Sequence, residues 1–194
     1  MGKRLNVYPN GKAEMAEFKY CTDLHLTRTI ESVQTRRGDD AKYVVATPYG
    51  GTVRLRDIDA GPRKDEAGDS EYVWHRIRVP RGYKTDLASV PRIGRFLVSR
   101  AGPHLEACVV HDWLYQAWIV TKETPTRSMK TFADDVLKAA MREANVGRFK
   151  TWLIYNACAR FGGKDFKRQW RPDEFPPKRD IIHTFGQDEG SCED

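Results

Sequence analysis

No run of about 18 apolar residues occurs in this chain of 194, so nothing in it is expected to span a bilayer. The N-terminus, MGKRLNVYPNGKAEM, has no apolar segment after its basic residues. That argues against a secretory signal and for synthesis and folding in a cytoplasm. Cysteine is scarce. Cys21, Cys108, Cys158 and Cys192 lie far apart and lack zinc-finger spacing, which argues against structural zinc. Cys108 and Cys158 fall in helical runs, where a thiol packs as a small hydrophobe. There is no HExxH, no glycine-rich phosphate loop and no nucleophile elbow, so the common catalytic motifs are missing. There is no internal repeat and no recognised DNA- or RNA-reading motif.

What is present fits a soluble globular domain. Hydrophobic residues make up 40% and charged residues 31% of the chain, and the length accommodates one domain with a real core plus extensions. The net charge of +6 comes from Lys and Arg scattered along the sequence, with richer turns at Arg36-Arg37 and Arg92 to Arg100. A mild basic excess permits contact with polyanions. The aromatics, however, do not read as a stacking platform. Solubility and contact with acidic partner surfaces therefore outweigh nucleic acid as a specific partner.

The order of patterns is strands first, then helices. Residues 24–33 alternate loosely, Tyr43 to Ala46 is a short β-rich run, and Thr52 to Ile58 alternates cleanly after a predicted turn at Pro48-Tyr49-Gly50-Gly51. Tyr72 to Val79 predicts a strand with Val73, His75, Ile77 and Val79 on its core face. The period then changes to about 3.6. Helices are predicted over Arg92–Ser99, from Pro103 to about Val120, over Thr126–Asn145, and over Phe149–Phe161, the last stopped by Gly162-Gly163. The expected architecture is α+β, with N-terminal antiparallel strands followed by a cluster of three to four helices in a single domain over 24–163. Residues 1–23 read as an N-terminal arm. Residues 164–194 read as an extension that is basic, then Pro-rich, then acidic, and is too polar to fold alone. Its aromatic and Ile residues read as docking on this domain or on a partner.

Polar residues embedded in apolar surroundings mark the special place, because each must find a partner or cost free energy. The run Lys84-Thr85-Asp86-Leu87-Ala88-Ser89-Val90-Pro91 is one such knot. Its plain reading is a turn or helix cap, with Thr85 or Asp86 accepting backbone N–H bonds. Its functional reading makes Asp86 a base or a metal ligand at a pocket mouth, with Thr85, Ser89 and, from the following helix, Tyr115 as binding groups. In the following helix, His104, Cys108, His111 and Tyr115 share one face, while Asp112 lies on the adjoining one, roughly 100° away. His111 reads either as a satisfied core histidine or as a proton-transfer group suited to neutral pH. Asp134 falls at the border of the apolar stripe Met129, Phe132, Ala133, Val136, Leu137, Ala140, Met141 and Ala144, while Asp135 points away from it. At that border Asp134 faces the neighbouring helix, where it can orient His111. Asp86, His111, Asp112 and Asp134 thus form a candidate His/carboxylate cluster. It suits acid–base chemistry, and it also suits one divalent metal held through oxygen and nitrogen ligands, although no metal is required. The adjacent His-Asp is similar to metal phosphohydrolases of the HD type, but their upstream histidine has no equivalent here.

Four blocks carry a wider resemblance: VPRGYKTDLASVPR (Val79 to Arg92), ACVVHDWLY (Ala107 to Tyr115), ADDVLKAAM (Ala133 to Met141) and FKTWLIYNACARFGG (Phe149 to Gly163). In order and spacing they resemble the phage and prophage family labelled domain of unknown function 1353, over about Val73 to Gly163. Leu137 stands where that family's pattern has Phe. The resemblance implies a small α+β domain of bacteriophage or prophage origin. Its recurring polar positions correspond to Thr85, Asp86, Ser89, His111, Asp112 and Asp134. It brings no established reaction.

The first functional expectation is therefore a virion-associated component of the tail, neck or an adaptor. It would be made in the host bacterial cytoplasm, and its arms would bind other virion proteins or further copies of the chain. The second is a hydrolase acting on cell-wall material or a nucleotide, with His111 as base. The third is a cytoplasmic phage protein that binds a host factor or a small-molecule signal.

Overall fold

The alternation read from the middle of the first half organises a sheet. In the computed structural model, which describes residues 7–9, 13–28, 43–57, 72–85 and 102–167, the strands are β1 (Ala13–Tyr20), β2 (Leu26–Arg28), β3 (Tyr43–Val45), β4 (Tyr49–Asp57), β5 (Val73–Val79) and β6 (Lys84–Thr85). The helices are α1 (His104–Leu114), α2 (Ala117–Thr121), α3 (Arg127–Glu143), α4 (Arg148–Phe161) and α5 (Gly163–Phe166). The fold is α+β, with antiparallel strands leading and helices following.

Among the described residues two three-stranded sheets form, in the orders β1-β4-β5 and β2-β3-β6, with all paired neighbours antiparallel. The register of the first sheet lines up Phe18, Val53 and His75 across its strands. Period-two alternation then puts Phe18, Val53, Leu55, Ile77 and Val79 in the core and leaves Trp74 outside. The expected core face of β5 is correct at Ile77 and Val79. His75 is half-buried on the same side, its ring edge-on to Phe132 of α3 at 6.0 Å between centroids.

Two expectations for the strand region are corrected. Residues 13–20, read as part of an arm spanning 1–23, form β1, and Val7, Tyr8 and Phe18 are core residues. The charges of this strand stand at Glu14, Glu17 and Lys19, and a register shift between Met15 and Glu17 interrupts its alternation, while Phe18 is buried. The predicted turn at Pro48 to Gly51 is instead mostly strand, because β4 starts at Tyr49. Gly51 is needed there for close approach: a Cβ would stand 2.2 Å from the Lys19 carbonyl oxygen and 2.5 Å from the Phe18 ring.

Helix α1 is buried nearly all round, from His104 and then Ala107 through Leu114, as expected for a helix that passes through the core. It packs on α3 and on β5, and α3 lies on β1, where the Tyr20 hydroxyl donates to the Ala140 carbonyl at 3.1 Å. The helix predicted to reach Val120 breaks after Leu114. The hydroxyl of Tyr8 donates to the Leu114 carbonyl and accepts from the Trp118 amide, at 3.2 Å in the latter case. The hydroxyl thereby satisfies backbone groups that an unbroken helix would have paired internally. Helix α3 follows its sequence pattern closely. Thr126 caps it by accepting from the Met129 amide at 3.2 Å, and Phe132, Ala133, Val136, Leu137, Ala140 and Met141 are buried. The helix predicted over Arg92–Ser99 lies outside the described residues.

Candidate functional site

Helix α1 supplies His111, Asp112 and, at its C-cap, Tyr115; α3 supplies Lys130 and Asp134. The roughly 100° step between successive helical residues sends His111 and Asp112 to different neighbours. His111 turns to α3, where its Nε2 lies 3.1 Å from Asp134 Oδ1. Asp112 turns to β6, where it accepts from the Thr85 hydroxyl at 2.9 Å through Oδ2. All four of these residues are buried. The structure therefore unites His111 with Asp134 and places Asp112 with Thr85 in a separate contact. Within the candidate cluster of Asp86, His111, Asp112 and Asp134, the divergence of Asp112 from His111 expected on one helix puts Asp112 on Thr85 and Asp134 on His111. Asp86 and Ser89 lie outside the described residues.

Asp134 accepts from three donors: His111 Nε2 at 3.1 Å and the Tyr115 hydroxyl at 2.6 Å on Oδ1, and Lys130 Nζ at 2.6 Å on Oδ2. Burial pushes its carboxyl pKa up. The hydrogen bond and charge of His111, with the bonds from Lys130 and Tyr115, outweigh burial and hold it below the usual carboxylate value. An ionised carboxylate only accepts, so Nε2 carries a proton in this contact, and in the neutral form of the imidazole the lone pair would lie on Nδ1. Burial, followed by the neighbouring Asp134 charge, pushes the Tyr115 phenol upward, so this hydroxyl remains a donor. The His111 and Tyr115 rings are themselves in contact, tilted with centroids 4.0 Å apart.

A second layer fixes these groups. Lys130 Nζ also donates to the Cys158 carbonyl at 3.0 Å and the Ala159 carbonyl at 3.3 Å, near the end of α4. Those acceptors are favourable ground for a cation, since carbonyls at a helix C-terminus carry partial negative charge. Phe166 of α5 packs edge-on to the Tyr115 ring at 5.3 Å. Gly162 lets the chain pass the Tyr115 hydroxyl, because a Cβ there would stand 2.5 Å from that oxygen and 2.7 Å from the Cys158 carbonyl oxygen. The predicted helix stop at Gly162 is correct in place but has another physical basis. Its φ of −72° is ordinary, and close approach is what requires glycine.

Sequence reasoning did not single out Lys130 or Tyr8. Lys130 had a usable signal, its i,i+4 relation to Asp134. Tyr8 had none, since its partner Leu114 stands 106 residues away. Asp135, expected to point away from the core, is half-buried and accepts from the Tyr155 hydroxyl of α4 at 3.1 Å. Trp113 is sealed in the core with its ring edge-on to Tyr83, whereas Trp152 is exposed and does not cover the dyad. Cys108 and Cys158 are free buried thiols. Burial, then the Asp134 charge, pushes Cys158 up to about 12, which makes it a packing group and not a nucleophile. Among the described residues no three His, Cys, Asp or Glu side chains converge as a metal-ligand group, and no helix is long and apolar enough to cross a membrane.

Fold and site together define a small α+β domain with a buried His–Asp dyad between two core helices. Residues 67–158 match the model of the family described as Protein of unknown function (DUF1353). That span contains the dyad, Thr85, Asp112, Tyr115 and Lys130. No curated protein and no solved structure matches the chain significantly.

Proposed function

We propose that the chain is a hydrolase whose general base is His111, held in one tautomer by Asp134. The division of roles on the imidazole supports this reading. Nε2 is committed to Asp134 at 3.1 Å, while Nδ1 has no hydrogen-bond partner among the described residues. In the reaction a water gives a proton to Nδ1 and its oxygen bonds to the electrophilic centre of the substrate. The imidazolium then returns the proton to the leaving group as the old bond breaks. Asp134 stabilises the imidazolium without taking its proton, and Lys130 and Tyr115 keep that carboxylate ionised and in place. The mechanism needs no side-chain nucleophile, in keeping with a site whose nearby thiol is protonated and buried.

Cell-wall material and nucleotides are the substrate classes to screen with the purified full chain. His111→Asn and Asp134→Asn should each lower turnover at least about 100-fold while circular dichroism reports a folded protein. Activity that survives both substitutions, or no turnover on either substrate class, would count against the reading.

A second reading is favoured by the completeness of the Asp134 contacts, which clamp α1, α3 and the end of α4 together. It is that of a virion-associated bacteriophage component, of the tail, neck or an adaptor, with the dyad as a structural latch. Purified virions should then contain the chain in fixed stoichiometry, and its absence from them would remove this reading. A virion-borne hydrolase would satisfy both.

A further inference from the structure

Most large apolar side chains among the described residues are buried. Phe149 and Trp152 are conspicuous exceptions, 73% and 58% exposed. They lie three residues apart on the outer face of α4 and stack on each other, with centroids 6.2 Å apart and planes 26° from parallel. Asn156 and Arg160 continue the same stripe at steps of four residues. A single exposed apolar residue requires no explanation. A stacked aromatic pair on an exposed helical ridge is a different case when its neighbours are charged with one sign. The fourteen residues of α4 include Arg148, Lys150 and Arg160 and no acid. Lys150 is engaged by His104 Nδ1 at 3.1 Å. Arg148 and Arg160 are exposed, and neither has an ion-pair partner among the described residues.

We propose that this ridge is a peripheral membrane-binding surface for anionic lipid. Phe149 and Trp152 enter the headgroup region, where aromatic rings with wet surroundings are favoured, and Arg148 and Arg160 pair with lipid phosphates. The helix lies along the surface, and no span is involved. A second copy of the chain is a poorer occupant, because the same cations would face each other across a symmetric contact. A nucleic-acid strand is also poorer, because it is held in a groove that tracks its backbone, whereas these rings protrude and each already uses one face on the other. The inference is independent of any reaction at His111.

The test is co-sedimentation of the full chain with vesicles of phosphatidylcholine alone and of phosphatidylcholine with phosphatidylglycerol. The expected result is binding to the anionic vesicles only. The double variant Arg148→Gln/Arg160→Gln should weaken it roughly thirtyfold, at about fivefold per cation, and Phe149→Ser/Trp152→Ser should abolish it. All four positions are exposed, so thermal melting should be unchanged and serves as the folding control. No binding to anionic vesicles, or binding that survives Phe149→Ser/Trp152→Ser, overturns the proposal. So does binding of a single-stranded oligonucleotide that the same variants abolish while vesicles are ignored.

Discussion

His111 Nε2 and Asp134 Oδ1, 23 residues apart in sequence, meet at 3.1 Å between two core helices, and Tyr115 shares the same carboxylate oxygen. The arrangement sets the histidine tautomer by geometry, and each contact makes its own prediction.

Tyr115→Phe removes one of three donors to a buried carboxylate. Hydrogen bonds to charged groups contribute about 1.5–3 kcal/mol, and a loss in that range is expected from urea denaturation. His111 and Lys130 still hold Asp134, so any hydrolytic activity should fall far less than with Asp134→Asn. An activity loss equal to that of Asp134→Asn would place Tyr115 in the chemistry itself.

The depressed Asp134 pKa predicts acid sensitivity. Folding lowers this pKa, so the carboxylate's contribution to stability is complete above its unfolded value of about 3.9. The contribution is lost as pH falls through the lower folded value. Stability measured from about pH 5 downward should decline more steeply in the wild type than in Asp134→Asn, which has no proton to take up there. Equal slopes would mean the carboxylate is not held as described.

Gly162→Ala should cost about 1–3 kcal/mol through overpacking, because the new methyl meets the Tyr115 hydroxyl and the Cys158 carbonyl. Part of that cost should vanish in a Tyr115→Phe background, where the hydroxyl is gone. A double-mutant cycle measures this coupling, and strict additivity of the two losses would refute the contact.

Tyr8→Phe leaves the Leu114 carbonyl and the Trp118 amide without their shared hydroxyl. The expected destabilisation is about 1–3 kcal/mol, the cost of buried polar groups left unpaired. Amide exchange at Trp118 should accelerate relative to that in the middle of α3. Unchanged exchange at Trp118 would show that the break between α1 and α2 does not depend on Tyr8.

Much of this fold is legible along the chain because secondary structure is periodic and local. The change from period two to period 3.6 after Val79 separates sheet from helices, and the stripe of α3 can be read almost residue by residue. The divergence of His111 from Asp112 also follows from the sequence, since adjacent residues on a helix cannot share a direction. Polar residues inside apolar runs identify Thr85, His111, Asp112 and Asp134 as groups that need partners.

Which partner each finds is not encoded locally. His111 takes Asp134, and Asp112 takes Thr85, because α1 runs through the core between α3 and β6 and touches both. That placement is a property of the whole packed core, in which β1, read from its charges as an arm, has to be counted as well. Lys130 on Asp134, Gly162 beneath the Tyr115 hydroxyl and Tyr8 at the end of α1 belong to the same class. Sequence periodicity determines which face a side chain occupies. Only tertiary packing decides what stands opposite that face, because the free energy that selects it is summed over contacts between distant segments.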